Sequence, residues 1–170
     1  MCQLKNAREQ YMTETEIQQI LFLYFRGEGY EPWCPPHINR NGPDLVAYHR
    51  DLHHLWIIEA KSDVNPSPSD RTGSTGRRMS FEGALAQICQ RRPDEWKQKC
   101  INRPLLPADI VTYGLAFPEG EGYRSLCRTI RTGIRPALSL YLFFMQPDVP
   151  PVIIGPMSRA FDIAGEGLEY

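Results

Sequence analysis

The sequence lacks a long hydrophobic run, an apolar leader and a closely spaced pair of cysteines. No stretch approaches the roughly 18 apolar residues that a membrane-spanning helix requires, so we expect no membrane association. The opening residues, from Met1 to Lys5, form no apolar signal core, so a cytoplasmic location is expected. The five cysteines are odd in number and form no C-x-x-C motif, which favours free thiols in a reducing compartment.

The sequence also has little net charge, which excludes binding of a polyanion through overall charge alone. The formal net charge is −1. Basic residues nevertheless cluster, with eight arginines and lysines between Arg71 and Arg103 and a second group between Arg124 and Arg135. A basic face that contacts nucleic acid and a set of ordinary solvated helix faces explain these clusters equally well.

The length and composition are those of one globular domain. The chain has 170 residues, of which 42% are hydrophobic and 23% are charged, and this is enough for a substantial core. Because we find no internal repeat and no linker, we expect a single domain over residues 1–170. Residues 62–80 are rich in Ser, Pro, Gly, Thr, Asp and Arg and have no periodicity, which predicts a long polar loop.

The first predicted element is a helix over residues 13–26. Its apolar residues recur at helical spacing, and Thr13 with Glu16 forms the pattern of a capping box. Glu14 falls on the apolar stripe of this helix, whereas Glu16 lies at its edge. A carboxylate on a buried face is unusual and needs a partner, although a favourable interaction with the start of the helix explains Glu14 equally well.

The rest of the chain predicts a sheet with helices. Two short apolar runs flank a polar link at residues 50–53, which predicts a β-hairpin over 44–61. Because the strands are apolar at successive positions, helices should cover both faces of the sheet. The predicted fold class is therefore α/β, with a mixed central β-sheet flanked by helices. The other predicted elements are an edge strand or extended segment at 30–38, helices at 81–100 (with a break near Pro93) and 121–131, and strands at 109–117, 137–145 and 152–154.

The hairpin brings chemically reactive residues together at one end. A turn centred on Asp51 and Leu52 places Asp44 directly opposite Glu59, with their Cβ atoms roughly 5 Å apart. Lys61 follows Glu59 by two positions and should point to the same face. Two carboxylates this close repel each other unless one is protonated or a cation lies between them. The pattern predicts a site for Mg²⁺ or Mn²⁺ that serves phosphodiester hydrolysis, with Lys61 near the developing negative charge.

These residues resemble the motif of a known superfamily. Pro43-Asp44 followed by Glu59-Ala60-Lys61 is similar to the PD-(D/E)xK motif of nucleases with the restriction-endonuclease-like fold. The resemblance extends over residues 13–90 and implies an αβββαβ core. It also implies a metal-dependent endonuclease or exonuclease that hydrolyses phosphodiester bonds, with DNA as the expected substrate.

The resemblance implies a role for individual residues. The metal ligands would come from the end of the hairpin: Asp44, Glu59 and the main-chain carbonyl of Ala60. Lys61 would assist the attacking water or stabilise the transition state. Glu14 would be the acid of the first helix, and Gln87 on the next helix would contact the lysine or a phosphate. The link before the Gln87 helix is longer than in many relatives, which suggests a lid that faces the substrate.

Basic residues would form the surface that binds nucleic acid. The candidates for contacts with phosphates follow the hairpin in the chain: Arg71, Arg77, Arg78 and Arg91. The sequence contains no recognisable module that reads bases. Specificity would therefore come from loops, from a homodimer or from a partner protein.

Two other functions remain open from the sequence. One is a catalytically inactive domain of the same fold that binds nucleic acid or a protein partner, which an absence of metal binding would favour. The other is an enzyme whose acid pair acts on a small phosphorylated or glycosidic substrate, which a deep closed pocket would favour.

Overall fold

A six-stranded mixed β-sheet forms the centre of the computed structural model, which describes residues 12–35, 42–62, 73–130 and 133–157. The α/β class predicted from the sequence is confirmed. In chain order the elements are α1 (Glu14–Gly27), β1 (Glu31–Trp33), β2 (Leu45–His49), β3 (His54–Ala60), α2 (Ser74–Gln90), α3 (Pro93–Ile101), β4 (Ile110–Pro118), α4 (Glu121–Arg128), α5 (Ile134–Ala137), β5 (Leu140–Gln146) and β6 (Val149–Ile154).

The strands lie in the sheet in the same order as in the chain. Strands β1, β2 and β3 are antiparallel neighbours, β3, β4 and β5 are parallel, and β6 returns antiparallel to β5. Each parallel step needs a connection that crosses back over the sheet. Helices α2 and α3 lie in the first such connection, and α4 and α5 lie in the second.

Helices pack on both faces of the sheet, as the apolar strands predict. On one face α1 buries Ile17, Leu21 and Phe25 against strand residues that include Trp56. On the other face α2 and α4 pack against β4 and β5, and Trp96 of α3 packs against β2 and β3. No helix within the described part of the chain is long and apolar enough to cross a membrane.

The first helix and the hairpin have the predicted geometry. Thr13 is the N-cap of α1: its hydroxyl accepts from the Glu16 N–H at 3.2 Å, and its own N–H donates to the Glu16 carboxylate at 2.7 Å. The hairpin pairs Leu45 with Ile58 and His49 with His54, which is the predicted register. Strand β1 is the predicted edge strand and ends before residues 36–41, which lie outside the described residues.

The predicted loop over residues 62–80 is wrong in its second half. Helix α2 begins at Ser74, so residues 74–80 are helical. In these two turns apolar residues do not recur at helical spacing, which is the pattern that predicts a helix from the sequence. Instead Arg78 forms an i,i+4 ion pair with Glu82 inside the helix, and the Arg77 side chain lies over Gly122 of α4. The suggested lid falls on residues 63–72, which lie outside the described residues.

Two predictions near the C-terminal end also needed correction. The segment predicted to begin a strand at Ala137 is the end of the short helix α5, and β5 begins only at Leu140, after Ser139 with a φ of 45°. Strand β6 begins at Val149 rather than at residue 152 and contains Pro150 and Pro151. Prolines are tolerated there because β6 is an edge strand.

A buried ion pair fixes the far end of the sheet, away from the strand ends that carry Glu59. The Lys97 ammonium lies 2.5 Å from Asp109, and the two side chains are 1% and 0% exposed. Asp109 also accepts hydrogen bonds from the Tyr48 hydroxyl at 3.0 Å and from the Leu106 N–H at 2.5 Å. The pair therefore ties α3 to β2 and to the start of β4.

Gly114 in β4 is a position where no side chain fits. A Cβ there would meet the Phe143 ring at 2.9 Å and Ile58 at 3.1 Å. We expect Gly114→Ala to lower the free energy of unfolding by about 1–3 kcal/mol, because the buried neighbours cannot retreat without strain. Urea unfolding measures this change.

Gly83→Ala is the matched control for that substitution. A Cβ at Gly83 in α2 meets nothing within 4 Å, and alanine is the better helix former. We expect this variant to be more stable than the wild type by about 0.5–1 kcal/mol. An equal effect of the two substitutions would contradict the packing at Gly114.

Candidate active site

The ends of β2 and β3 bring the predicted residues together. Asp44 directly precedes β2, and its N–H donates to the Ile58 carbonyl at 3.0 Å, which continues the pairing of the hairpin. Glu59 is the penultimate residue of β3, and Lys61 follows its last residue. The Lys61 ammonium lies 3.9 Å from Asp44 Oδ2 and 3.9 Å from Glu59 Oε2. The predicted convergence of two carboxylates and an amine is therefore present.

The two carboxylates are removed from solvent. The side chain of Glu59 is 1% exposed and that of Asp44 is 9% exposed, whereas that of Lys61 is 17% exposed. In β3 the side chain of Glu59 alternates with Ala60 and faces the side of the sheet on which α2 lies, because it is paired with Leu115. Charges buried to this extent require partners, so each carboxylate should be held by its neighbours.

Asp44 is held by two hydrogen bonds from different elements. Its Oδ2 accepts from the Ala60 N–H at 2.6 Å, and its Oδ1 accepts from the Gln18 side-chain amide at 3.1 Å. Gln18 lies on α1 and is buried. Hydrogen bonds to both oxygens fix the orientation of the carboxylate and place the peptide of Ala60 beside it.

Glu59 is held by Arg91, which follows the last residue of α2. The guanidinium Nε donates to Glu59 Oε1 at 2.6 Å, its Nη2 forms an ion pair with the same oxygen, and Nη2 also donates to the Gly42 carbonyl at 2.8 Å. The Arg91 side chain is 7% exposed. The sequence predicted that Arg91 contacts phosphate, and in the structure its side chain lies beside Glu59. Asp44, Glu59, Lys61 and Arg91 are called the cluster below.

Burial dominates the protonation of Glu59. Burial, followed by the charge of Asp44, raises the pKa of Glu59 to about 7, although Arg91 and Lys61 act in the opposite direction. The described cluster contains two acids and two bases, so its formal charges cancel. The Glu59 carboxyl therefore changes its charge close to neutral pH.

The remaining candidate residues that the structure describes lie on α1 and α2. Glu14 is half-buried on α1, one turn before Gln18 and on the same side of the helix. Gln87 lies on α2 one turn before Arg91, and its buried Oε1 accepts no hydrogen bond from the described residues. Arg77 is half-buried, and Arg78 is exposed and paired with Glu82. Arg71 lies outside the described residues.

Sequence reasoning missed two residues that support the cluster. Gln18 lies on the same helical stripe as Glu14, and a polar residue on a buried stripe was the signal that could have revealed it. Tyr123 of α4 donates from its hydroxyl to the Ser62 carbonyl at 2.8 Å, which fixes the chain directly after Lys61. No local pattern indicates this contact, because it joins residues that are 61 positions apart.

The candidate ligands for a metal ion are few. Within the described ranges, no group of three or more His, Cys, Asp and Glu side chains could hold a metal ion. The oxygen ligands at the cluster are the carboxylates of Asp44 and Glu59, and the main-chain carbonyl of Ala60 remains the third predicted ligand. Mg²⁺ and Mn²⁺ favour hard oxygen ligands, and Mg²⁺ commonly binds one or two carboxylates together with water and substrate phosphate. The types of donor atom present therefore fit such an ion.

The titration of Glu59 should be visible in the stability of the metal-free protein. Because the pKa is raised above its ordinary value of 4.5 to about 7, the folded state binds the proton more tightly than the unfolded state. The stabilisation is complete below the ordinary pKa and is lost as pH rises through about 7. We expect Glu59→Gln, which cannot ionise, to lack this loss of at most about 3 kcal/mol.

Thermal unfolding in EDTA between about pH 5 and pH 8 measures the difference. Glu82→Gln is the control, because Glu82 is an exposed acid of α2 that also pairs with an arginine. Parallel curves for the wild type and Glu59→Gln would show that Glu59 does not titrate in this range.

The chain was compared with protein-family models, with curated proteins and with solved structures, and no match was found in any of the three comparisons.

Proposed function

We propose that this protein is a metal-dependent nuclease that hydrolyses phosphodiester bonds in DNA. The observation that carries the proposal is the convergence of Asp44, Glu59 and Lys61, with the ammonium 3.9 Å from both carboxylates. Two buried acids with a lysine at the end of a hairpin suit phosphoryl chemistry, in which negative charge develops on oxygen.

The order of elements supports the resemblance to PD-(D/E)xK nucleases. Helix α1, strands β1 to β3, helix α2 and strand β4 follow the order αβββαβ, with α3 added before β4. The Asp precedes one strand of the hairpin, and the Glu and Lys lie at the end of the next. This is the placement that the motif implies.

Each residue of the site would have its own role in the proposed reaction. Asp44 and Glu59 would hold Mg²⁺ or Mn²⁺ together with the Ala60 carbonyl. The chemistry that such an ion supplies when bound is polarisation of the phosphoryl oxygen and activation of water. Gln18 and the Ala60 N–H orient Asp44, and Arg91 orients Glu59. Lys61 would stabilise the negative charge that develops on the phosphate.

The internal ion pairs favour a second candidate function, which is binding of nucleic acid or a protein partner without catalysis. Lys61 and Arg91 already compensate the two carboxylates. A cluster neutralised in this way binds a divalent ion more weakly than two free carboxylates would, because the ion must displace or repel the bound cations. Calorimetry with Mn²⁺ separates the candidates, since an absence of binding favours the non-catalytic function.

Incubation with nucleic acid tests the proposed activity. Supercoiled, linear and single-stranded DNA, and RNA, are each incubated with Mn²⁺ or with EDTA, and the products are separated on gels. We expect cleavage of DNA with Mn²⁺ and none with EDTA. Asp44→Asn should abolish cleavage while it retains an oxygen that can accept from the Ala60 N–H. Cleavage that persists in EDTA, or in the Asn variant at the wild-type rate, would contradict the proposal.

A further inference from the structure

A cavity on the α1 face of the sheet is lined almost entirely by aromatic rings. Its volume is about 280 Å³, and six of the eight described residues that line it are aromatic: Tyr24, Phe25, Tyr30, Trp56, Tyr141 and Phe143. Phe25 and Phe143 are fully buried, whereas Tyr24, Tyr30 and Tyr141 are only partly buried. The tyrosines therefore form the accessible walls, and the phenylalanines belong to the core beneath them.

Among the described residues, one charged side chain lines this cavity, and it is acidic. Glu28, the C-cap residue of α1, is exposed and lies among the lining residues. Burial, followed by the charge of Glu28, raises the pKa of Tyr24. The Glu28 carboxylate is therefore close enough to influence the Tyr24 hydroxyl. The described lining contains no lysine or arginine, so the charge that it presents to a ligand is negative.

The aromatic rings that line the cavity pack against one another at steep interplanar angles. Trp56 meets Tyr141 at 4.9 Å with an interplanar angle of 70°, and it meets Phe143 at 5.6 Å with an angle of 73°. Phe25 and Tyr30 are 5.3 Å apart at 86°. These are the distances and angles at which aromatic pairs pack edge to face, so the rings that line the cavity support one another.

One wall is fixed before any ligand binds. The Tyr30 hydroxyl is hydrogen-bonded to His54 Nδ1 at 2.9 Å, and His54 Nε2 is hydrogen-bonded to the Thr112 hydroxyl at 2.8 Å. A ring held in this way loses little freedom when it contacts a ligand, which favours binding.

We propose that this cavity binds a quaternary ammonium group, with the rings of Tyr24, Tyr30 and Tyr141 around the cation and the Glu28 carboxylate as its counter-charge. Aromatic faces attract cations through their quadrupoles, and rounded methylated ammonium groups are bound in this manner by aromatic cages. The proposal is independent of the proposed nuclease activity, because it uses a different face and different residues. The ammonium group can belong to a free small molecule or to a methylated lysine of another protein.

Calorimetric titration with choline and with dimethylbutanol, its neutral carbon analogue, tests the role of the charge. We expect saturable binding of choline and at least roughly tenfold weaker binding of the neutral analogue. Choline and a peptide that carries trimethyllysine are then compared with the unmethylated peptide, and the tighter of the two methylated ligands identifies the source of the group. Absence of saturable binding of both methylated ligands, or equal binding of choline and dimethylbutanol, would overturn the proposal.

Two variants locate the binding in the cavity. Glu28→Gln removes the charge of an exposed residue, and Tyr141→Leu removes the ring but keeps an apolar side chain in the strand. We expect each to weaken the binding of the methylated ligand roughly three- to tenfold. Asp94→Asn is the control, because it removes an exposed acid on α3, on the opposite face of the sheet, and should leave the affinity unchanged. Wild-type affinity in both cavity variants would place the binding elsewhere and overturn the assignment.

Discussion

Lys61→Met is expected to lower DNA cleavage by at least about a hundredfold, because it removes a positive charge from the proposed reaction centre. The Lys61 ammonium lies 3.9 Å from each of the two carboxylates, and its side chain is only 17% exposed. In such surroundings water screens the charge weakly, so its effect on a developing negative charge is large. Methionine preserves most of the side-chain volume. Initial rates of plasmid cleavage with Mn²⁺ measure the loss.

Lys99→Met is the matched control for that experiment. Lys99 lies on α3, is 48% exposed and pairs with Glu95, so the same substitution there removes a charge that is paired with an exposed acid. We expect wild-type cleavage by this variant. Circular dichroism should show a folded protein in both cases. Cleavage by Lys61→Met at the wild-type rate would refute the proposed role of the lysine.

The largest loss of stability is expected for Asp109→Ala, at about 3–5 kcal/mol. The substitution leaves the Lys97 ammonium, which is 1% exposed, without the carboxylate that lies 2.5 Å away. It also removes the acceptor of the Tyr48 hydroxyl and the Leu106 N–H. A buried charge that loses its partner still carries the free-energy cost of its desolvation, but no opposite charge offsets that cost. Urea unfolding measures the change in free energy.

The double variant Lys97→Met with Asp109→Ala shows whether the pair is responsible. Methionine fills a similar volume without a charge, so the double variant should be more stable than the sum of the two single effects predicts. Additive effects, or a loss of less than about 1 kcal/mol in Asp109→Ala, would contradict the importance of this ion pair.

The hairpin shows which parts of the site could be predicted from the sequence. Two apolar runs around a short polar link define a register, and a register decides which residues face each other. Asp44, Glu59 and Lys61 therefore converge as predicted, because one local element carries all three. The capping box of α1 was predictable for the same reason, since Thr13 and Glu16 are three positions apart.

The contacts that complete the cluster join distant parts of the chain, and no local pattern indicates which residues meet. Arg91 is 32 positions from Glu59, and Gln18 is 26 positions from Asp44. The position of Arg91 beside Glu59 depends on where α2 ends, and the sequence pattern did not predict where that helix begins. Its first turns are stabilised by the Arg78–Glu82 pair and by packing of Arg77 over Gly122, neither of which produces an apolar period.

The prolines of the outermost strands limit how copies of this chain can associate. Strand β1 contains Pro32, and strand β6 contains Pro150 and Pro151, so each outermost strand of the described sheet lacks a backbone donor at these positions. Prolines in edge strands discourage a strand from another molecule from extending the sheet. If the protein forms a homodimer in order to cut both strands of a duplex, contact through helices and loops is therefore favoured over continuation of the sheet, and fibrillar growth through the sheet is disfavoured.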